Sequence, residues 1–307
     1  MLEKLSIGII GTRGIGKVYV RELAALGAKK LYILGKKYKN SIKSKKDIES
    51  EVNVEIIICK TIEDLKLKKL DLVCICSPTI THLNHIKMFS KNKTKIIVEK
   101  PLFWDDSLSP KKIINILESL FSKSLNKITT NLPLISYAKS LEKNFSIKKK
   151  KIKKVYFKYY TSGNNNYKNI GVDLLPHALS FLLSFFNVKL DNIFVKSIKV
   201  LPNSWKCLFY YNDIMCIFDF DQNINRKKTI LNISINNLSY LRKQNYDKTK
   251  FKKNDVFIGR KNLIKKIKNP MSDSIKTNVQ KLLKNNINSK DVDIQKAIIK
   301  LMILFLK

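Results

Sequence analysis

The sequence is poor in acid. Against 60 Lys and Arg stand only 24 Asp and Glu, a formal charge of +36 over 307 residues. Within that excess arginine is scarce: Arg13, Arg21, Arg226, Arg242 and Arg260 are the whole set, and the other 55 basic residues are Lys. Sites that read phosphates or base edges bidentately favour the guanidinium fork, so this charge does not point to a specific nucleic-acid partner. Asn and Ile run high alongside Lys, the joint mark of an AT-rich coding bias, which makes much of the lysine a solvated by-product of composition. Histidine is scarce as well, with three residues and none at metal-ligand spacing from a cysteine, and no metal site is expected. Five cysteines form no CxxC pair, and their odd number reads as free thiols in a reducing compartment. No uncharged apolar run approaches the roughly 20 residues of a membrane span. The opening MLEKLSIGIIG runs straight into a glycine loop and reads as a first strand rather than a secretory signal, so the expected location is cytoplasmic.

What is present is an ordinary globular composition, 44% hydrophobic and 27% charged, long enough for two domains. The first part alternates short, wholly apolar strands with helical segments. Leu5–Ile10 precedes a glycine turn and a helix over Lys17–Leu26; strands follow at Leu31–Leu34, Glu55–Cys59, Leu70–Cys76, Lys95–Val98 and Lys127–Thr130, with helices at Thr81–Ser90 and Leu108–Leu120. Apolar strands between helices imply a parallel sheet covered on both faces. Beyond residue 131 longer alternating segments take over, at Lys153–Tyr160, Asn192–Val200, Lys206–Tyr211, Met215–Asp219 and Thr229–Ile235, and read as an antiparallel sheet. Helices are expected at Val172–Phe186, Ser274–Lys284 and Val292–Leu306, while polar, Lys-rich Asn236–Asn269 reads as loop. The fold class is therefore α/β: residues 1–126 as a parallel-sheet domain covered on both faces and 127–307 as an α/β domain with a mostly antiparallel sheet. The first carries 24 basic and 13 acidic residues (+11) and the second 36 and 11 (+25), with a dense run at Lys148–Lys151 that could meet phosphate or lie as a wet loop.

Five segments could carry chemistry. Gly11-Thr12-Arg13-Gly14-Ile15-Gly16 lies between a strand and a helix, where glycine permits a tight turn and a pyrophosphate can approach the helix N-terminus. Its spacing is GxxGxG, with Arg13 at the usual middle-glycine position; a plain strand-to-helix turn is the alternative. The end of the second strand, where a carboxylate would bind the adenosine ribose of NAD, reads Gly35-Lys36-Lys37, which favours the 2′-phosphate of NADP(H) over NAD(H). Cys76-Ser77-Pro78-Thr79-Ile80-Thr81-His82 and Val98-Glu99-Lys100-Pro101-Leu102 each follow a strand's C-terminal end, the edge where ligands of open α/β sheets lie. Lys100 could act in proton transfer there if its pKa is lowered. In Gly171-Val172-Asp173-Leu174-Leu175-Pro176-His177 and the helix it opens, Asp173, His177, Ser180 and Ser184 share one arc. Asp173 and His177 are i,i+4 neighbours suited to acid–base work, and a solvated stripe is the other reading.

In this order, GTRGIGK, DLVCICSPTITH, VEKPL and GVDLLPHALSFLL resemble the glucose-fructose oxidoreductase / inositol dehydrogenase (Gfo/Idh/MocA) family over most of the chain. The resemblance implies a Rossmann domain followed by an α/β domain whose open sheet often forms the oligomer interface. It implies that Gly11 to Gly16 cradle the pyrophosphate, that Ser77, Pro78, Thr79 and His82 line the nucleotide, and that Glu99 and Lys100 lie by the nicotinamide ribose and the reacting carbon. Lys100, Asp173 and His177 match the positions that handle substrate hydroxyls and proton transfer: His177 as acid/base, Asp173 orienting, Lys100 polarising the reacting oxygen. Three departures stand out: Arg13, the missing ribose carboxylate, and Asn131-Leu132-Pro133 where the family commonly has an aromatic and an arginine.

The implied activity is an NAD(P)-dependent oxidoreductase, NADP(H) before NAD(H), acting on a sugar, nucleotide-sugar or related polyol or carbonyl substrate. The basic second domain makes an anionic sugar attractive, and a homo-oligomer through the C-terminal sheet is expected. The alternative is a non-catalytic dinucleotide-binding or regulatory protein of the same fold.

Overall fold

The computed structural model of the chain describes residues 2–124, 126–186, 192–244, 256–260 and 263–307. By packing it forms two compact units, Met1–Asn131 with Ser274–Lys296, and Leu132–Asp273 with Ala297–Lys307.

In the first unit β1 (Ile7–Ile10), β2 (Lys30–Leu34), β3 (Glu55–Ile58), β4 (Leu72–Ile75), β5 (Lys95–Glu99) and β6 (Ile128–Asn131) form one parallel sheet. The strand order is β3-β2-β1-β4-β5-β6, the doubly wound dinucleotide-binding order. Helices α1 (Ile15–Ala25), α2 (Tyr38–Glu49), α3 (Ile62–Lys66), α4 (His82–Ser90) and α5 (Pro110–Ser124) make the crossovers. All four residues of β1 and of β4 are buried, which is why these strands read as unbroken apolar runs.

The chain then leaves through α6 (Pro133–Asn144) and β7 (Lys154–Thr161). The second unit adds α7 (Lys168–Phe186), β8 (Ile193–Leu201), β9 (Ser204–Tyr211), β10 (Ile214–Gln222), β11 (Ile230–Ile235), β12 (Leu238–Gln244), β13 (Val256–Arg260) and β14 (Leu263–Ile267). Its sheet runs β14-β13-β12-β11-β7-β10-β9-β8, antiparallel except for the central β7–β10 pair. Alternation puts Phe157, Trp205, Phe209, Phe218 and Phe220 on one face, all buried, where they form an aromatic core with Phe181 and Phe305. Helix α7 is long and apolar enough to cross a membrane by composition, but 72% of that stretch is buried in this unit, as befits a core helix.

The expected loop over Asn236–Asn269 is corrected: it contains β12, β13 and β14, while 245–255 and 261–262 lie outside the described residues. A two-residue link puts Asn236 at φ 52 and pairs Ile235 with Leu238. In β12 only Tyr240 is buried, so the apolar alternation that marks a strand is almost absent there.

The chain closes with α8 (Pro270–Leu283) and α9 (Ser289–Leu306). Ser274–Lys296 belongs to the first unit and covers the sheet's β6 edge. There Gln295 Oε1 accepts from the backbone N–H of Thr130 at 2.7 Å and from its hydroxyl at 2.9 Å. An edge strand's free N–H groups need such partners.

Candidate active site

The glycine turn after β1 is built by close approach. A Cβ at Gly11 (φ +94) would come within 2.5 Å of the Cys76 carbonyl, and one at Gly16 within 1.8 Å of the Gly11 carbonyl. Gly14, at φ +46, caps α1 with open space beside it, so its backbone is presented outward at the helix N-terminus. Arg13 and Gly14 are exposed, Ile15 is half-buried, and Thr12 is buried. The Ser44 hydroxyl donates to the Thr12 carbonyl at 2.7 Å and ties the turn to α2. At the end of β2 the Ser41 hydroxyl accepts from Gly35 N–H, and Lys36 and Lys37 extend into solvent with no carboxylate in that loop.

The loops after β4 and β5 are fastened together by His82. Its ring is 1% exposed, with Nε2 2.7 Å from the Ser77 carbonyl and Nδ1 2.9 Å from the Pro101 carbonyl. Burial holds its pKa below the usual histidine value. A neutral ring donates to one of those carbonyls and an imidazolium to both. His82, expected to line the nucleotide, joins the two loops through these carbonyls. Ser77 and Thr79 are half-buried and Pro78 exposed. The Thr81 hydroxyl donates to Ser77 Oγ at 2.8 Å, and Ser77 Oγ lies 3.1 Å from His85 Nδ1.

Glu99 ends β5 inside the unit. Burial raises its pKa, opposed by the Asn131 amide and by Lys100 next in sequence. Asn131 is fully buried; its Nδ2 donates to Glu99 Oε1 at 2.7 Å, and its Oδ1 accepts from the Ser274 hydroxyl at 2.6 Å. The departure at residue 131 thus has a structural role, linking the last residue of β5 to α8. Tyr19 of α1, Cys74 of β4 and Cys76 just after it surround the same carboxylate, and burial pushes all three groups above their usual pKa values. Lys100 is half-buried and joined to Pro101 by a cis peptide.

In the second unit the polar arc of α7 is not a wet stripe. His177 and Ser180 are buried, Asp173 and Ser184 half-buried. The His177 ring meets Tyr159 of β7 edge-on at 5.3 Å, and the Ser180 hydroxyl turns back to the His177 carbonyl at 2.9 Å. Asp173 Oδ2 accepts from Gln222 Nε2 at 2.5 Å and from Asn165 Nδ2 at 3.3 Å. Gln222, at the end of β10, and Asn131 carry no local signal of these roles, since their partners are 49 and 32 residues away. The structure thus gathers the glycine turn, the Ser77 loop, Glu99 and Lys100 in the first unit, and Asp173 and His177 in the second.

Residues 5–123 match the family model described as the Gfo/Idh/MocA oxidoreductase family, NAD-binding Rossmann fold. This segment is a Gfo/Idh/MocA NAD-binding domain. Over 102 residues the chain is 30% identical to the uncharacterized oxidoreductase YrbE of Bacillus subtilis (strain 168), a match spanning 33% of this chain and 29% of that protein. The fold likeness to Gfo/Idh/MocA-type enzymes extends to the whole chain. A variant of KijD10, a 3-ketoreductase from Actinomadura kijaniata in complex with TDP-benzene and NADP, superposes with a TM-score of 0.70 at 11% identity, covering 98% of this chain and 96% of that one. UDP-N-acetylglucosamine 3-dehydrogenase GnnA from Acidithiobacillus ferrooxidans gives 0.66 at 10% identity over the same shares of each chain.

Proposed function

We propose that the protein is an NADP(H)-preferring oxidoreductase that moves a hydride between nicotinamide and a sugar, nucleotide-sugar or related polyol or carbonyl substrate. The observation that carries this reading is the glycine turn: Gly14 presents an open, outward backbone at the N-terminus of α1 in a Gfo/Idh/MocA Rossmann unit. The carboxylate-free, lysine-bearing end of β2 supports the 2′-phosphate form. Nucleotide-linked ligands of KijD10 and GnnA, named with those proteins, support the substrate class.

Gly11 to Gly16 would hold the pyrophosphate, Lys36 and Lys37 the 2′-phosphate; Ser77, Pro78, Thr79 and His82 would line the nucleotide, and Glu99 and Lys100 would lie by the nicotinamide ribose and the reacting carbon. Bound NADP supplies the hydride acceptor. On the protein side Lys100 polarises the substrate oxygen, His177 takes the hydroxyl proton, and Asp173 orients substrate or imidazole. His82 acts through the loops it joins.

The small-molecule substrate is the principal partner, and a second copy of the chain is the other. Tyr156, Lys158 and Tyr160 alternate with core-facing Phe157, so they lie on the sheet face opposite α7, where both phenols donate to Asp219 and Arg226 stacks over Tyr160 at 5.1 Å. Tyr and Arg are enriched at interface centres. The proposed location is the cytoplasm.

The test is reduction of NADP by a panel of nucleotide-linked and phosphorylated sugars, followed by nicotinamide absorbance. Turnover is expected with at least one, with His177→Asn lowering kcat by about a hundredfold or more. Tight dinucleotide binding with no turnover across the panel would establish the non-catalytic alternative.

A further inference from the structure

The glycine turn sits at the carboxyl ends of the Rossmann strands. The opposite, amino-terminal edge carries two adjoining clefts of about 490 and 840 Å³ that share Lys66, the last residue of α3. The first opens beside Leu70–Asp71 and Thr94–Lys95, the residues leading into β4 and β5; the second runs between α4 and α5. Lys66, Lys69, Lys93 and Lys95 line the first, and Lys87 and Lys91 join Lys66 in the second. Asp71 is the single acid in either lining, and its Oδ2 already accepts from the Ser6 N–H at 2.8 Å. Lys95 is drawn below the usual lysine range by burial and then by the neighbouring charge of Lys127. Lys69 is held at φ 46, a left-handed conformation that side chains other than Gly and Asn seldom adopt.

Six ammonium groups around two adjoining clefts form a predominantly positive concave field, which attracts and retains anions. Lysines act there as point charges, a fit for phosphate oxygens; Lys95 Nζ already donates to the Asn126 carbonyl at 3.1 Å and to Asn285 Oδ1, which leaves it one donor for a ligand. Neither lining contains an arginine or an aromatic ring. The stacking platforms of single-strand nucleic-acid channels are therefore missing. Both volumes lie within the roughly 300–1,000 Å³ of small-molecule sites. Met88, Ile116 and Leu120 supply an apolar wall, and Asn115 and Ser119 supply polar contacts, in the second cleft.

We propose that this edge is a second ligand site, separate from the dinucleotide loop, that takes a small polyphosphorylated molecule with its phosphates among Lys66, Lys69, Lys93 and Lys95. The site is independent of the proposed oxidoreductase activity.

The experiment is calorimetric titration of the full chain at low salt with inorganic tripolyphosphate and, separately, with ATP, each with and without saturating NADPH. Saturable binding that survives NADPH is expected, weakened about tenfold or more in Lys66→Ala/Lys93→Ala and unchanged in Lys36→Ala/Lys37→Ala. Both replaced lysines at the cleft are exposed, so the fold is kept. Tighter binding of ATP would assign the apolar wall to an organic moiety, and equal binding would assign the site to the phosphates alone. No saturable binding at millimolar probe would overturn the proposal, as would displacement by NADPH with loss in the Lys36/Lys37 variant. A short single-stranded RNA binding more tightly than either probe, with the same sensitivity to the Lys66/Lys93 change, would overturn the small-ligand assignment.

Discussion

Asn131→Leu removes two buried hydrogen bonds at nearly constant volume. One runs to the Glu99 carboxyl at 2.7 Å and the other comes from the Ser274 hydroxyl at 2.6 Å, around a side chain with no solvent exposure. A hydrogen bond to a charged group contributes about 1.5–3 kcal/mol and a neutral one about 0.5–1.5, so the loss is about 3 kcal/mol. In a unit of about 150 residues that lowers the melting midpoint by roughly 6–12 °C. The loss also depends on pH. Burial already raises the folded-state pKa of Glu99, so the proton it keeps on folding makes stability fall as pH rises from the unfolded value through the folded one. Removing the Asn131 donor raises that pKa further and extends the falling range upward. The difference between wild type and variant should therefore be larger at alkaline than at mildly acidic pH. Calorimetric melts of both proteins across that range measure it; a shift under about 1 °C, or one equal at both ends, refutes Glu99 as a buried carboxyl held by Asn131.

Gly16→Ala, with its Cβ 1.8 Å from the Gly11 carbonyl, should abolish dinucleotide binding, whereas Gly14→Ala meets open space and carries only the backbone cost of φ 46, ψ −109, about 1–3 kcal/mol. Fluorescence titration with NADPH compares them, and equal losses would contradict the close-packed turn. Gln222→Leu should leave Asp173 without its 2.5 Å donor and lower kcat by about tenfold with NADPH affinity nearly unchanged, a split that a general loss of structure would not produce. Burial lowers the pKa of His85, so the unfolded chain takes up a proton that the folded protein resists. Its contribution is therefore unfavourable below about 6.5 and vanishes above it, and His85→Gln should flatten the loss of melting midpoint on acidification. An unchanged slope would contradict that assignment.

The first unit was legible because its strands are buried on both faces and its turns are marked by glycine and proline, signals that reside in adjacent residues. The polar arc of α7 was legible as geometry, but not whether it faced water, since that depends on Tyr159 and the sheet beneath it. The amide that holds Asp173 comes from Gln222, and the partner of Glu99 from another strand, and no periodicity links such pairs. Helix α2 buries only Ser41, Ser44 and Ile48, so its lysine-rich sequence carried little amphipathic signal. The same shortage of buried residues hid β12. Lysine enrichment blurred the surface throughout, and only the folded arrangement distinguishes the clustered lysines at the sheet's amino-terminal edge from those in solvent.

The central claim is that the glycine turn and the lysines after β2 bind a phosphorylated nicotinamide dinucleotide. Fluorescence titration of the purified protein with NADPH and NADH, in wild type and Lys36→Ala/Lys37→Ala, tests it most directly. The account predicts that NADPH binds more tightly than NADH and that the double variant removes most of that preference while leaving NADH affinity nearly unchanged. Failure of both nucleotides to bind at millimolar concentration would contradict it.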